Sequence, residues 1–148
     1  MKNRGVTLIE LVVVMVIIAI GAVLVAPNIG AWIPNYRLRS ATRDIVSTLR
    51  TAQMKAVSTN REYQVSFDPG AGSYILQYRH TDGLTWINEG PTQALPTGIQ
   101  ISGITLPGNN ATFNPDSSSS GGSITLRNPK GATKTITLTS STGRAQIQ

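Results

Sequence analysis

The chain has 148 residues, 40% of them hydrophobic and only 14% charged, with 13 Lys+Arg against 7 Asp+Glu for a formal charge of +6. That is one ordinary domain plus an appendage, too apolar and too weakly charged for a disordered chain. The absence of cysteine excludes a disulfide scaffold, a thiol nucleophile and a Cys-ligated metal, and the single histidine, His80, excludes a His-rich metal site.

Residues 11–26 run for sixteen positions without a charge or a hydrogen-bonding side chain. With Val6 to Glu10 the stretch is 21 residues, about 31 Å as a helix, against a hydrocarbon slab of about 30 Å. The run is rich in Val and Ile, but no soluble strand is this long and a lipid-exposed strand cannot satisfy its own backbone. The expectation is a transmembrane helix over 6–26 with Glu10 near its start. Pro27, Gly30 and Pro34 then mark a kink or a loosened backbone. Leu38, Ala41, Ile45, Leu49, Ala52 and Ala56 follow at spacings of three and four, one apolar stripe with Arg39, Arg43, Ser47 and Arg50 beside it. An amphipathic continuation of the helix is predicted over 27–60, ending near Thr59-Asn60.

Residues 61–148 hold 11 of the 14 glycines and 6 of the 8 prolines. Tyr63, Val65 and Phe67 alternate, Asp68-Pro69-Gly70 turns, and Tyr74, Leu76 and Tyr78 alternate, a hairpin that ends before Thr81-Asp82-Gly83. Ile99-Gln100-Ile101 is a further strand. Ile124 and Leu126, the turn Asn128-Pro129-Lys130-Gly131, and Ile136 and Leu138 form a second hairpin, with Ala145 and Ile147 as a last strand. Asp116 to Ser123 reads as a flexible loop. An antiparallel sheet this small needs a cover, and the stripe from Leu38 to Ala56 supplies it. The expected class is α+β: a long N-terminal helix whose distal half packs on a β-meander, giving a β-sandwich-like head over 61–148.

The first ten residues carry the sharpest signal. Lys2 and Arg4 precede Gly5, and Val6-Thr7-Leu8-Ile9-Glu10 leads into the apolar run. This resembles the type IV prepilin leader, although Val6 stands where that family usually has Phe. The resemblance implies a leader over 1–5, cleavage by a prepilin peptidase between Gly5 and Val6, and N-methylation of Val6. Losing Lys2 and Arg4 leaves 11 basic against 7 acidic side chains. A carboxylate at the edge of a bilayer core is expensive unless paired. The resemblance gives Glu10 a partner, the Val6 amine of a neighbouring subunit, in an ion pair that sets the stagger of a filament. The alternative is an ordinary secretory signal, with Lys2 and Arg4 ahead of the apolar run and small residues at Ala19-Ile20-Gly21. Glu10 at the mouth of the run, and the amphipathic helix that follows without a cleavage boundary, argue against it.

The segment Asn60–Phe67, Phe113-Asn114-Pro115, Gly121–Leu126, the turn Asn128–Gly131 and Gly143-Arg144 resemble the domain shared by the H-type minor pseudopilin of type II secretion and the FimT-type minor pilin. What this implies is a non-enzymatic filament subunit with a pilin-like fold and no cofactor. It would be held once in the bacterial inner membrane with its head on the periplasmic side. Its partners would be other pilin or pseudopilin subunits and the prepilin peptidase, with secreted proteins as further contacts. The secretion branch implies a role at the initiation or tip of a pseudopilus and in protein export. The pilus branch implies DNA contact, since some FimT-type pilins use a C-terminal Gly-Arg-x-Arg. Here Arg144 matches and Gln146 replaces the second Arg, so nucleic-acid contact would rest on Arg144 with Lys130 and Lys134 gathered at one end. The head is only weakly basic, six cations against five carboxylates over 61–148.

Other chemistry is thinly supported. Gly70-Ala71-Gly72 lacks the strand-to-helix context of a phosphate loop. Asp116 with Ser117 to Ser120, and the stretch holding Asp82 and Glu89, offer too little charge for calcium. Ser118 or Ser119 with His80 has no strained elbow or oxyanion hole to make a hydrolase pair. Trp86 and Tyr78 read as core or rim aromatics.

Overall fold

The computed structural model describes the backbone of residues 7–148 and the side chains of 7–23 and 32–148. Two compact units divide the chain, residues 1–33 and 34–148. A single helix assignment, α1 (Leu8–Thr59), runs through both. Its helical residues include Pro27, Gly30 and Pro34, where the sequence predicts a kink or a loosened backbone. The end falls where the sequence put it. Asn60 adopts a left-handed conformation (φ 52°), and the Arg61 N–H returns to the Ala56 carbonyl at 3.3 Å, a Schellman-type stop.

The second unit holds the core. All six residues of the α1 stripe are buried, from Leu38 to Ala56, and Thr42 and Val46 join them. Facing them are two antiparallel sheets. The first contains β1 (Tyr63–Asp68), β2 (Ser73–Arg79), β3 (Trp86–Asn88), β4 (Gln93–Ala94) and β6 (Asn110–Phe113), in the order β3-β2-β1-β6 with β4 also paired to β2. The second contains β5 (Gln100–Ile104), β7 (Gly122–Arg127), β8 (Thr133–Leu138) and β9 (Ala145–Ile147), in the order β5-β7-β8-β9. One contiguous core joins the stripe to Val65, Phe67 and Phe113 of the first sheet and Ile124, Leu126 and Ile136 of the second.

Both predicted hairpins form. Val65 pairs with Leu76 and Phe67 with Tyr74; Ile124 pairs with Ile136. Their turns are organised by side-chain carboxylates and amides, as turn chemistry demands. Asp68 Oδ1 accepts from the N–H groups of Gly70 and Ala71 at 2.9 and 3.0 Å. Asn128 Oδ1 accepts from Lys130 and Ala132 at 3.0 and 2.9 Å, while its Nδ2 donates to Asn35 on α1 at 2.8 Å.

Two expectations are corrected. The strands are not a meander: the chain crosses to the second sheet for β5, returns for β6 beside β1, and crosses back for β7. The reason is the inner face of β1, whose open edge needs a partner once β2 has paired with β3 and β4. Residues 116–123 are not a free loop. Ser119 is buried, its N–H donates to the Ser140 carbonyl at 2.7 Å and its hydroxyl to Thr139 at 3.0 Å. Asp116 accepts from the Ser118 N–H and hydroxyl at 2.9 and 2.6 Å. Ser119 thus donates twice to backbone carbonyls of the 139–140 segment.

Two consequences are measurable. Gly143 has φ +61°, and a Cβ there would lie 2.7 Å from the Ser117 carbonyl oxygen and 2.8 Å from Gln53 Nε2. Gly143→Ala should therefore cost about 2–4 kcal/mol in urea unfolding, from left-handed strain and the clash together. Gly72→Ala, with the same φ and nothing within 4 Å, should cost only about 1 kcal/mol. Equal costs would show that no close approach exists. Tyr74 is buried against the core, which pushes its phenol above the ordinary value of 10.0 because the ionised form loses water. A raised folded value means stability that is whole below pH 10 and is lost as pH rises through it. Tyr74→Phe should flatten that alkaline loss in equilibrium unfolding curves; an unchanged slope would rule out Tyr74 as its source.

Candidate functional site

In the first unit the chemistry concentrates at the start of α1. Thr7 precedes the first helical residue, and its Oγ1 accepts from the Glu10 N–H at 3.3 Å, while its carbonyl accepts from Leu11 at 3.2 Å. Thr7 is thus an N-cap, with Glu10 three residues on, the spacing of a capping box. The carboxylate sits in the first helical turn, exposed, where the helix dipole favours negative charge. Sequence reading gave Thr7 no role of its own, although Thr-x-x-Glu ahead of an apolar run is a recognisable start signal.

From Leu8 to Val23 every large apolar side chain is exposed, from 44% for Val12 to 83% for Leu8. A helix that is apolar all round is covered by something in its working state. Among the described residues no helix is long and apolar enough to cross a membrane. The expected span of 6–26 takes in Val6 and the side chains of 24–26, which lie outside the described residues. So do Gly5 and Val6 as the expected cleavage, methylation and ion-pairing positions.

In the second unit Lys130, Lys134 and Arg144, the residues on which nucleic-acid contact would rest, do not share one end of the hairpin. Ala145 pairs with Leu138, and Lys134 lies four residues back along β8, about 13 Å away. Arg144 is therefore at one end of the β7–β8 hairpin, and Lys130 and Lys134 are at the other, by the turn. The register is the cause, and it separates the residues of the nucleic-acid reading. The backbone around Gly143-Arg144 is anchored: Gln53 Nε2 on α1 donates to the Thr142 carbonyl at 2.7 Å, and the Arg144 carbonyl accepts from the Thr139 N–H at 3.1 Å.

Lys134 meets different company. Together with Arg39, Thr42 and Arg43 of α1 and Ile147 of β9, it lines a groove of about 270 Å³. The helix flank of arginines was legible in the sequence, but not its meeting with Lys134, which depends on how β8 lies beside α1.

The remaining polar candidates are engaged locally. Asp82 accepts from Thr85 and Leu84 N–H groups at 3.0 and 2.9 Å and from the Thr85 hydroxyl at 2.7 Å. These bonds hold its carboxyl far below the usual carboxylate range. Glu89 pairs with Lys55, raising the lysine above its ordinary value. Ser118 bonds Asp116 and Ser119 bonds Thr139, so neither serine is joined to His80, whose Nδ1 faces Asp82 within its own turn. Among the described residues no three His, Asp or Glu side chains gather as a metal group. Arg79 bridges Glu62 at 2.6 Å and lies over Trp86, 4.7 Å from the ring centre, so Trp86 is a rim aromatic.

Comparison with known proteins follows the same division of the chain. A model of the prokaryotic N-terminal methylation motif matches residues 1–26, and that of the type II transport protein GspH matches residues 41–143. Nothing matches among curated proteins. Among solved structures, the minor pseudopilin EpsH of the Vibrio cholerae type 2 secretion system is similar with a TM-score of 0.64 and 10% identity, over 76% of this chain and 96% of that one. The type IV minor pilin FimU of Pseudomonas aeruginosa PAO1 is similar with a TM-score of 0.59 and 14% identity, over 75% and 92%. GspH of E. coli is similar with a TM-score of 0.60 and 11% identity, over 77% and 89%. At these identities the likeness speaks for the fold, which is that of the pilins. The family model reaches from the buried stripe of α1 to the Gly143 anchor, well over half of the sequence, and the chain belongs to the type II transport protein GspH family.

Proposed function

We propose that this protein is a minor pseudopilin of a type II secretion system. It assembles through the N-terminal half of α1, contributes to the initiation or tip of the pseudopilus, and so serves protein export. The observation that carries this reading is the pairing of a GspH-type head with an N-terminal methylation motif on an exposed apolar helix. The large apolar side chains from Leu8 to Val23 are exposed. In this reading they are covered first by the inner membrane, as part of a single span over 6–26, and then by the same helices of neighbouring subunits. The head lies on the periplasmic side, where other pseudopilins and secreted proteins are its contacts.

Prepilin peptidase cuts between Gly5 and Val6, and Val6 is then methylated. The Thr7 cap supports this geometry, because it starts the helix one residue after the new terminus. The Val6 amine of one subunit pairs with Glu10 of the next. A carboxylate at the head of an apolar run is costly alone and favourable when so paired. The reading as a FimT-type pilus subunit that contacts DNA draws less support, since Arg144 stands apart from Lys130 and Lys134 and Gln146 supplies no charge.

Glu10→Val tests the assembly role. Membrane association should be unchanged, because the substitution makes the helix more apolar. Incorporation into pseudopili, measured by quantifying the subunit in sheared filaments, should fall at least about tenfold, since the partner amine is left without a counter-charge. Normal incorporation would remove Glu10 from the assembly contact.

A further inference from the structure

We propose that the groove between α1 and the β8–β9 edge is a binding site for a phosphate group. Its lining concentrates positive charge: Arg39 and Arg43 stand one helical turn apart on α1, and Lys134 faces them from β8. Among the described residues none of the three makes a hydrogen bond or ion pair, whereas Lys55 and Arg79 on the same body each have a carboxylate. The one acidic residue on this stretch of α1, Asp44, is turned elsewhere. It accepts from Ser40 at 3.4 Å and acts on Tyr74 in the first sheet.

Lys134 is the informative residue. Side chains two apart on a strand share a face, so Lys134 belongs to the inward row of β8 with buried Ile136 and Leu138, opposite buried Leu126. An apolar side chain there would extend the core towards α1. A lysine instead brings a third cation against two arginines, an arrangement that disfavours the empty fold and favours an anion. Ile147 closes one wall, and Thr42 spends its hydroxyl proton on the Leu38 carbonyl at 2.7 Å, so the cations are the donors that remain.

The ligand chemistry follows from charge and shape. A phosphate group presents tetrahedral oxygens to which guanidinium forks and an ammonium fit, with up to two negative charges as the free ion and one as a diester. The groove, about 270 Å³, has room for such a group. It does not make the extended cationic track that a nucleic-acid backbone engages, and Arg144 lies too far away to lengthen it. Two sources share this chemistry: the phosphodiester of an anionic lipid headgroup and free phosphate.

The test uses the full chain in neutral detergent, titrated calorimetrically with inorganic phosphate against chloride at matched ionic strength. Dihexanoyl phosphatidylglycerol and dihexanoyl phosphatidylcholine are run in parallel. Wild type should bind phosphate, and the double variant Arg39→Gln/Arg43→Gln should bind at least about tenfold more weakly, having lost two charge-assisted contacts. Lys134→Met should also lose binding while melting no lower than wild type in chloride, a readout that separates ligand contact from loss of fold. Phosphatidylglycerol binding about tenfold tighter than phosphate, and phosphatidylcholine not at all, would identify a headgroup site; equal affinities would identify a free-phosphate site. The proposal is overturned if phosphate and chloride act alike or if the double variant titrates as wild type does. It is also overturned if a duplex oligonucleotide binds in preference to both and survives the double variant.

Discussion

Everything in the second unit depends on one apolar stripe on one helix. Leu38, Ala41, Ile45, Leu49, Ala52 and Ala56 are buried to 3% exposure or less. Fully burying a side chain such as Ile45 or Leu49 stabilises by about 1.5–3 kcal/mol. The two sheets have five and four strands, several of only two or three residues, and such sheets are marginal without a cover. The alanines matter as much as the larger residues, since their small side chains let the sheets approach the helix while Phe113 and Leu126 fill the space beside them. Polar tethers fix the register of that packing: Asn35 to Asn128 near one end of the stripe and Gln53 to Thr142 near the other.

The N-terminal part of the same helix obeys the opposite rule. Its apolar residues have no stripe and no polar face, so amphipathic packing against a head is not what they are built for. A threonine cap and a glutamate open this stretch, giving a defined first turn with a carboxylate at the dipole's positive end. One secondary-structure element thus carries two chemistries, a folded-core stripe and a surface apolar on every side. That is the division a filament subunit needs, with a head that folds by itself and a helix whose burial comes from assembly.

Much of this was legible in the sequence, for physical reasons. The stripe at spacings of three and four, the two hairpins with their Asp and Asn turns, and the helix stop at Asn60 are local patterns, and each formed as read. What escaped reading is non-local. β3, β4 and β6 are short and carry little alternation: Trp86–Asn88 is joined to β2 where Arg79 and Trp86 pair across the two strands, and Asn110–Phe113 fills the open edge of β1. The serine run looked free because composition cannot reveal that Ser119 reaches the carbonyls of Thr139 and Ser140, twenty residues on. The cations Lys130, Lys134 and Arg144 looked as if they could cluster because all fall within fifteen residues, and strand register pulls them apart. The groove of Arg39, Arg43 and Lys134 was invisible for the converse reason, as its members are far apart in sequence and adjacent in space.

The central claim is that this chain is processed as a prepilin, so that its mature form begins at Val6. The most direct measurement is the intact mass of the protein extracted from the membranes of cells that assemble it. The account predicts a single species beginning at Val6, with one added methyl group. A chain that still begins at Met1, or one that begins near Ala22 after cleavage as an ordinary secretory signal, would contradict it.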